Sequence, residues 1–189
     1  MSSTETLSLL LSPIAFEIYA VILFSIFSPI GTGPLGIATS MGIGLLLIAL
    51  IPLLVVYFFS KGRFEMFKKE ERNEPYPLVI LSFLAAASIF WILGSHLMFI
   101  LSFAYVVVTT ACFFINLFWK ISTHSAGVAG PLTAIVLVFG MQFAPLFLLL
   151  VPVFWVRLKL KAHTPLQLIG GVLVASSLTF IIYSSLWLT

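Results

Sequence analysis

Nine of the fifteen charged residues in this chain fall within one short stretch, Lys61–Glu74. Lys120 stands alone, and Arg157, Lys159 and Lys161 form a group just before His163. Glu5 and Glu17 are the only others. Everything between these islands is apolar or weakly polar. A soluble domain carries about 25% charged residues; here the figure is 8% over 189 residues, with 61% hydrophobic and a mean hydropathy of +1.23. So few charges cannot cover a water-facing surface. The chain is expected to be an all-α, polytopic membrane helix bundle, which excludes a soluble enzyme, a disordered chain and a nucleic-acid-binding module.

A membrane helix needs about 20 apolar residues. The apolar runs suggest seven spans, near Leu7–Phe27, Gly36–Phe59, Pro77–Gly94, Leu97–Trp119, Gly127–Gln142, Pro145–Val156 and Pro165–Leu188. The fifth and sixth are short, with a break expected at Ala144–Pro145, and merging them leaves six. Charge favours seven. With seven spans, all nine Lys and Arg residues fall on one side, and the opposite loops around Gly31–Gly33, Ser95–His96 and Phe143–Ala144 hold none. The positive-inside rule makes the charged face cytoplasmic, with the N-terminus inside. The chain reads as one integral membrane domain over residues 1–189, with two N-terminal helices in 1–60 and a core in 61–189.

Aspartate is absent. That disfavours membrane enzymes built on paired aspartates and removes the usual Mg²⁺ ligands. No metal and no cofactor is expected. Cys112, the single cysteine, reads as a small buried apolar residue. Glu17, near the middle of the first span, reads as a neutral, hydrogen-bonded residue that ties helices together. Gly36, Gly42 and Gly44 read as close helix packing, and Lys159 and Lys161 as interfacial anchors.

The three polar segments must meet on one face. The first offers Lys69 and Arg72, before Pro75 and Pro77. The second reads Lys120-Ile-Ser122-Thr-His124, and the third Arg157-x5-His163-Thr-Pro-Leu-Gln167. Fixed cations, a hydroxyl and two imidazoles, without acidic metal ligands, suit an oxyanion such as phosphate. One histidine can attack phosphorus while the other protonates the leaving oxygen. Thr164 with Pro165 should cap the last helix, whose N-terminus favours an anion beside His163. Thr164-x-x-Gln167 is also a capping-box pattern.

These segments resemble the type-2 phosphatidic acid phosphatase superfamily, whose motifs are K-x6-R-P, P-S-G-H and S-R-x5-H-x3-D. Arg157-x5-His163 matches the third in spacing, Ser122-Thr-His124 resembles the second, and Lys69-x2-Arg72-x2-Pro75 resembles a variant of the first. The resemblance covers roughly residues 61–180. It implies a metal-independent membrane lipid phosphatase acting through a phosphohistidine on a phospholipid or isoprenoid phosphate or diphosphate. It casts His163 as nucleophile, His124 as general acid and Gln167 as the residue orienting His163, and makes Lys69, Arg72, Lys120, Ser122 and Arg157 phosphate ligands. The chain departs from the motifs at Ile121, Thr123, Val156, at Glu74 where the family has Arg, and at Gln167 where it has Asp. A Gln carbonyl fixes the imidazole tautomer but lacks the charge that stabilises an imidazolium. The other readings are a transporter or binding protein for an anionic lipid or small anion, and a catalytically inactive relative.

Overall fold

The computed structural model describes residues 3–62 and 69–187, without the side chains of residues 3–5, Lys69 and Arg72. Helices joined by short loops make up these residues, with no strand among them. Six helices are long and apolar enough to cross a membrane, and a shorter apolar helix packs among them. The protein is a multi-pass helical bundle of the kind its apolar runs predict.

The first span is interrupted. Helix α1 (Ser3–Leu10) gives way to α2 (Pro13–Phe27) at Ser12, whose Oγ accepts from the Ala15 backbone N–H at 3.2 Å, with Pro13 at the first helical position. The second span joins α3 (Gly36–Gly44) to α4 (Ile51–Phe59) through a π-helical stretch, Leu45–Leu50. Pro52 accounts for that stretch: its ring cannot follow a regular turn and it donates no hydrogen bond. Ser82 answers from the neighbouring helix, its hydroxyl donating to the Leu47 carbonyl at 2.6 Å. Side-chain rescue of a displaced carbonyl is what an apolar surrounding demands. A short α5 (Lys69–Asn73) then leads into α6 (Pro75–Ile92), which pairs with α7 (His96–Phe118).

The two short spans differ from the sequence expectation. Helix α8 covers Thr123–Phe139, so His124 and Ser125 lie inside its first turn rather than in a preceding loop. It ends at Gly140, whose φ of 102° suits glycine, and not at Ala144–Pro145. A 3₁₀ segment, Met141–Leu149, then continues into α9 (Leu150–Lys159). Met141–Lys159 is thus long and apolar enough to cross a membrane, whereas α8, with 17 residues, is the shorter apolar helix. The last helix, α10 (Pro165–Leu186), starts where Thr164-Pro165 predicts, with a complete capping box.

Three helices run parallel and position the site. Pro13 packs on Gly127 at the start of α2 and α8, and Phe24 meets Phe139 at their ends, with ring centroids 5.4 Å apart. Helix α10 lies against α8: a Cβ on Gly171 would collide with Ser125 Oγ and fall 2.5 Å from the Ser122 carbonyl oxygen. Glycine at 171 therefore lets the two N-termini come together. At the opposite end Gly33 presses on the Gly94 carbonyl and His96 Nε2 donates to the Leu186 carbonyl at 3.1 Å, which keeps His96 far from the other histidines.

Two smaller expectations are corrected. Gly44 packs against Val21 and Met98 as expected, but Gly36 and Gly42 have no neighbour within 4 Å of where a Cβ would sit. Glu17 is buried, yet its Oε2 has no hydrogen bond among the described residues, so it does not tie helices together through that atom. Cys112 is buried, as read. Lys159 lies 4.6 Å from the Trp155 ring centroid, an amphipathic pairing suited to an interface.

Candidate active site

The segments after α7, after α9 and at the head of α10 meet at one end of the bundle. Two tethers join them. Lys120 Nζ donates to the Ala162 carbonyl at 2.7 Å, and the Ser122 backbone N–H donates to the Gln167 carbonyl at 3.3 Å. Trp119 packs its ring on Gly170, where a Cβ would lie 2.8 Å from the indole. The residues flanking His124 are thus bound to the residues flanking His163.

Arg157 occupies the centre. It sits in the last turn of α9 and is only 1% exposed. Its Nη1 donates to Ser8 Oγ at 3.1 Å and lies 3.5 Å from His124 Nε2. Burying a guanidinium is costly, and the Ser8 hydroxyl and the His124 imidazole are two of its neighbours. The N-termini of α8 and α10 approach the same place and add positive potential. The electrostatics favour an anion.

His163 is also buried, and its tautomer can be worked out. Gln167 Oε1 accepts from the Thr164 backbone N–H at 3.1 Å, which fixes that atom as the amide oxygen. The same oxygen lies 3.2 Å from His163 Nδ1. An oxygen only accepts, so Nδ1 carries a proton, and in the neutral imidazole the lone pair is then on Nε2. Gln167 therefore caps α10 and orients the imidazole at once.

The other sequence candidates are placed as follows. Ser122 is buried and caps α8, its Oγ accepting from the Ser125 N–H at 3.3 Å. Lys120 is engaged by the Ala162 carbonyl, so part of its role is to hold the chain next to His163. The side chains of Lys69 and Arg72 lie outside the described residues. Their segment reaches the site end through Asn73, whose Oδ1 accepts from Asn116 Nδ2 at 2.9 Å.

Ser8 and Asn116 belong to this end of the molecule and were not found from sequence. Asn116 carried a signal: it is one of two asparagines in the chain and lies inside an apolar run, where polar residues are seldom idle. Ser8 carried none, because the N-terminal dozen residues hold several other Ser and Thr.

A cavity of about 180 Å³ opens from the site into the bundle, walled by α2, α6, α7 and α8. His124 and Thr123 stand at its mouth; Val79, Phe83, Ala104, Val108 and Ala134 give it an apolar lining. Beyond it the core closes with buried Phe24, Phe90, Leu97 and Met98. Among the described residues no three His, Cys, Asp or Glu side chains gather as a metal site. Comparison of the chain with protein-family models, curated proteins and solved structures found no match.

Proposed function

We propose that the protein hydrolyses a phosphate or diphosphate ester of a lipid, without a metal, through a phosphohistidine. The single observation that carries this reading is the buried Arg157 beside His124, which lines an apolar cavity, with the His163 segment tethered to the His124 segment through Lys120 and Ser122. The cavity suits a lipid tail, and the cationic end suits its headgroup. His163 Nε2 attacks phosphorus and forms the P–N bond as the P–O bond to the lipid breaks. His124 gives its proton to the departing oxygen. Arg157 neutralises charge on the equatorial oxygens. Neutral His124 then takes a proton from water, which displaces His163 and releases phosphate.

A transporter needs a polar path to the far face, and the packed aromatic and aliphatic side chains beyond the cavity argue against one. Charge distribution supports a cytoplasmic location for the site end. The test is phosphate release by detergent-purified protein from a panel of lipid phosphates and diphosphates in EDTA, beside His163→Ala. Release that persists in EDTA and disappears in the variant is expected. Release that needs a divalent metal, or that survives His163→Ala, overturns the reading.

A further inference from the structure

The cavity below His124 is mostly apolar, with the hydroxyl-bearing Ser12, Tyr76, Thr109 and Thr179 among its lining residues, and Glu17 of α2 and Tyr105 of α7 share its wall. Both are more than nine-tenths buried, at 6% and 8% exposure. Glu17 Oε2 and the Tyr105 hydroxyl have no hydrogen-bond partner among the described residues. Leaving a buried polar group unsatisfied is costly. Two such groups from different helices, both lining one cavity, call for an occupant that supplies hydrogen bonds.

Their depth narrows the choice. Pro13 is level with Gly127, one turn below His124, and Glu17 is one turn below Pro13 on a parallel helix. At 1.5 Å per residue the Glu17 Cα lies roughly 10 Å below that of His124. Side chains on a helix tilt toward its N-terminus, so the carboxyl group leans back toward the site. It stands within the first few bonds of a lipid whose phosphate rests on Arg157.

We infer that Glu17 and Tyr105 form a second polar subsite that takes a free hydroxyl carried by the lipid just below its phosphate. This rests on the lipid-phosphatase reading above. A hydroxyl is the fitting group because it does both jobs: it donates to the Glu17 carboxyl and accepts from the Tyr105 hydroxyl. A tail without oxygen leaves both groups stranded. Sites built to bond a substrate hydroxyl discriminate strongly against analogues that lack it. Glu17 lies in the N-terminal pair of spans, so that pair becomes part of substrate selection.

The experiment compares kcat/KM for lysophosphatidic acid, which has a free hydroxyl, and farnesyl phosphate, which has no oxygen beyond the phosphate. Wild type is expected to favour the former at least about tenfold. Glu17→Leu and Tyr105→Phe should each collapse that ratio toward one, while Glu17→Gln should keep most of it. Tyr105→Phe removes a single oxygen and serves if Glu17→Leu does not fold. A wild-type ratio near one, or a ratio unchanged in both variants, overturns the inference. If neither lipid releases phosphate, it is the phosphatase reading that fails. Binding of the two lipids to His163→Ala protein, with and without Glu17→Leu, then decides the subsite by the same ratio.

Discussion

Gln167 is the residue at which stability and catalysis can be separated most cleanly. Its Oε1 accepts two hydrogen bonds, from the Thr164 N–H and from His163 Nδ1, while its own backbone N–H donates to Thr164 Oγ1. Gln167→Ala keeps the last of these and deletes the other two. The Thr164 bond is a neutral cap interaction, so unfolding stability should fall by about 1 kcal/mol. The His163 bond becomes charge-assisted as the imidazole turns cationic, a class worth about 1.5–3 kcal/mol. At 1.36 kcal/mol per decade that is a loss in kcat of roughly 10- to 150-fold. The assay is phosphate release at saturating lipid phosphate in EDTA, with thermal unfolding of the same preparation as the control. Gln167→Glu sharpens the test, because it keeps the cap and places a carboxylate beside Nδ1. That raises the pKa of His163. The nucleophile must be unprotonated at Nε2, so the acidic limb of the pH profile should move to higher pH while the rate above it is kept or increased. Wild-type turnover by a folded Gln167→Ala, or an acidic limb that does not move in Gln167→Glu, would refute the assignment of His163 as nucleophile.

Arg157→Lys keeps the charge but loses the planar fork that can hold two oxygens; kcat/KM should fall about 100-fold or more, as for loss of an oxyanion donor, measured by the same release assay. Gly171→Ala puts a methyl group against Ser125 Oγ and the Ser122 carbonyl. It should cost about 1–3 kcal/mol in stability and lower activity beyond what the unfolded fraction explains, as shown by thermal unfolding and initial rates on one sample. Lys120→Met removes the bond to the Ala162 carbonyl; turnover should drop about tenfold with little change in melting temperature, and a rate loss matched by an equal loss of folded protein would count against its positioning role.

The bundle was legible because apolar length and charge clustering are strong signals in a membrane chain. The start of α10 was legible too, since Thr164, Pro165 and Gln167 each state their place at a helix N-terminus. The division of residues 121–159 was harder. Pro145 looks like a breaker, yet it sits inside a 3₁₀ segment, and the chain turns at Gly140 instead. Proline is tolerated near a helix start, whereas a φ of 102° leaves little choice but glycine. Glu17 was recognised as unusual, but its surroundings depend on α7 and α8. No pattern along one helix states which cavity a side chain borders.

The same limit explains why Ser8 escaped notice and why the glycines were ambiguous. A small residue in an apolar helix fits lipid contact, close packing or a bend equally well, and the partner decides which. Gly36 and Gly42 leave room for a Cβ, whereas Gly127 and Gly171 set the spacing of α8 against α2 and α10. That spacing has a chemical consequence. Parallel helices have aligned dipoles, which repel unless something at the shared end offsets them. Here the N-termini of α8 and α10 are brought together at the end that already holds Arg157, Lys120 and Lys161. The fold gathers positive potential in one place, and Gly171 keeps it there. An anion at Arg157 would relieve that repulsion and close the site around itself. Inorganic phosphate or vanadate should therefore raise the melting temperature of wild type, and raise it less in Arg157→Lys, since a ligand that binds only the folded state stabilises it in proportion to its affinity. A stabilisation equal in the two proteins would place the anion elsewhere and remove Arg157 from the centre of the site.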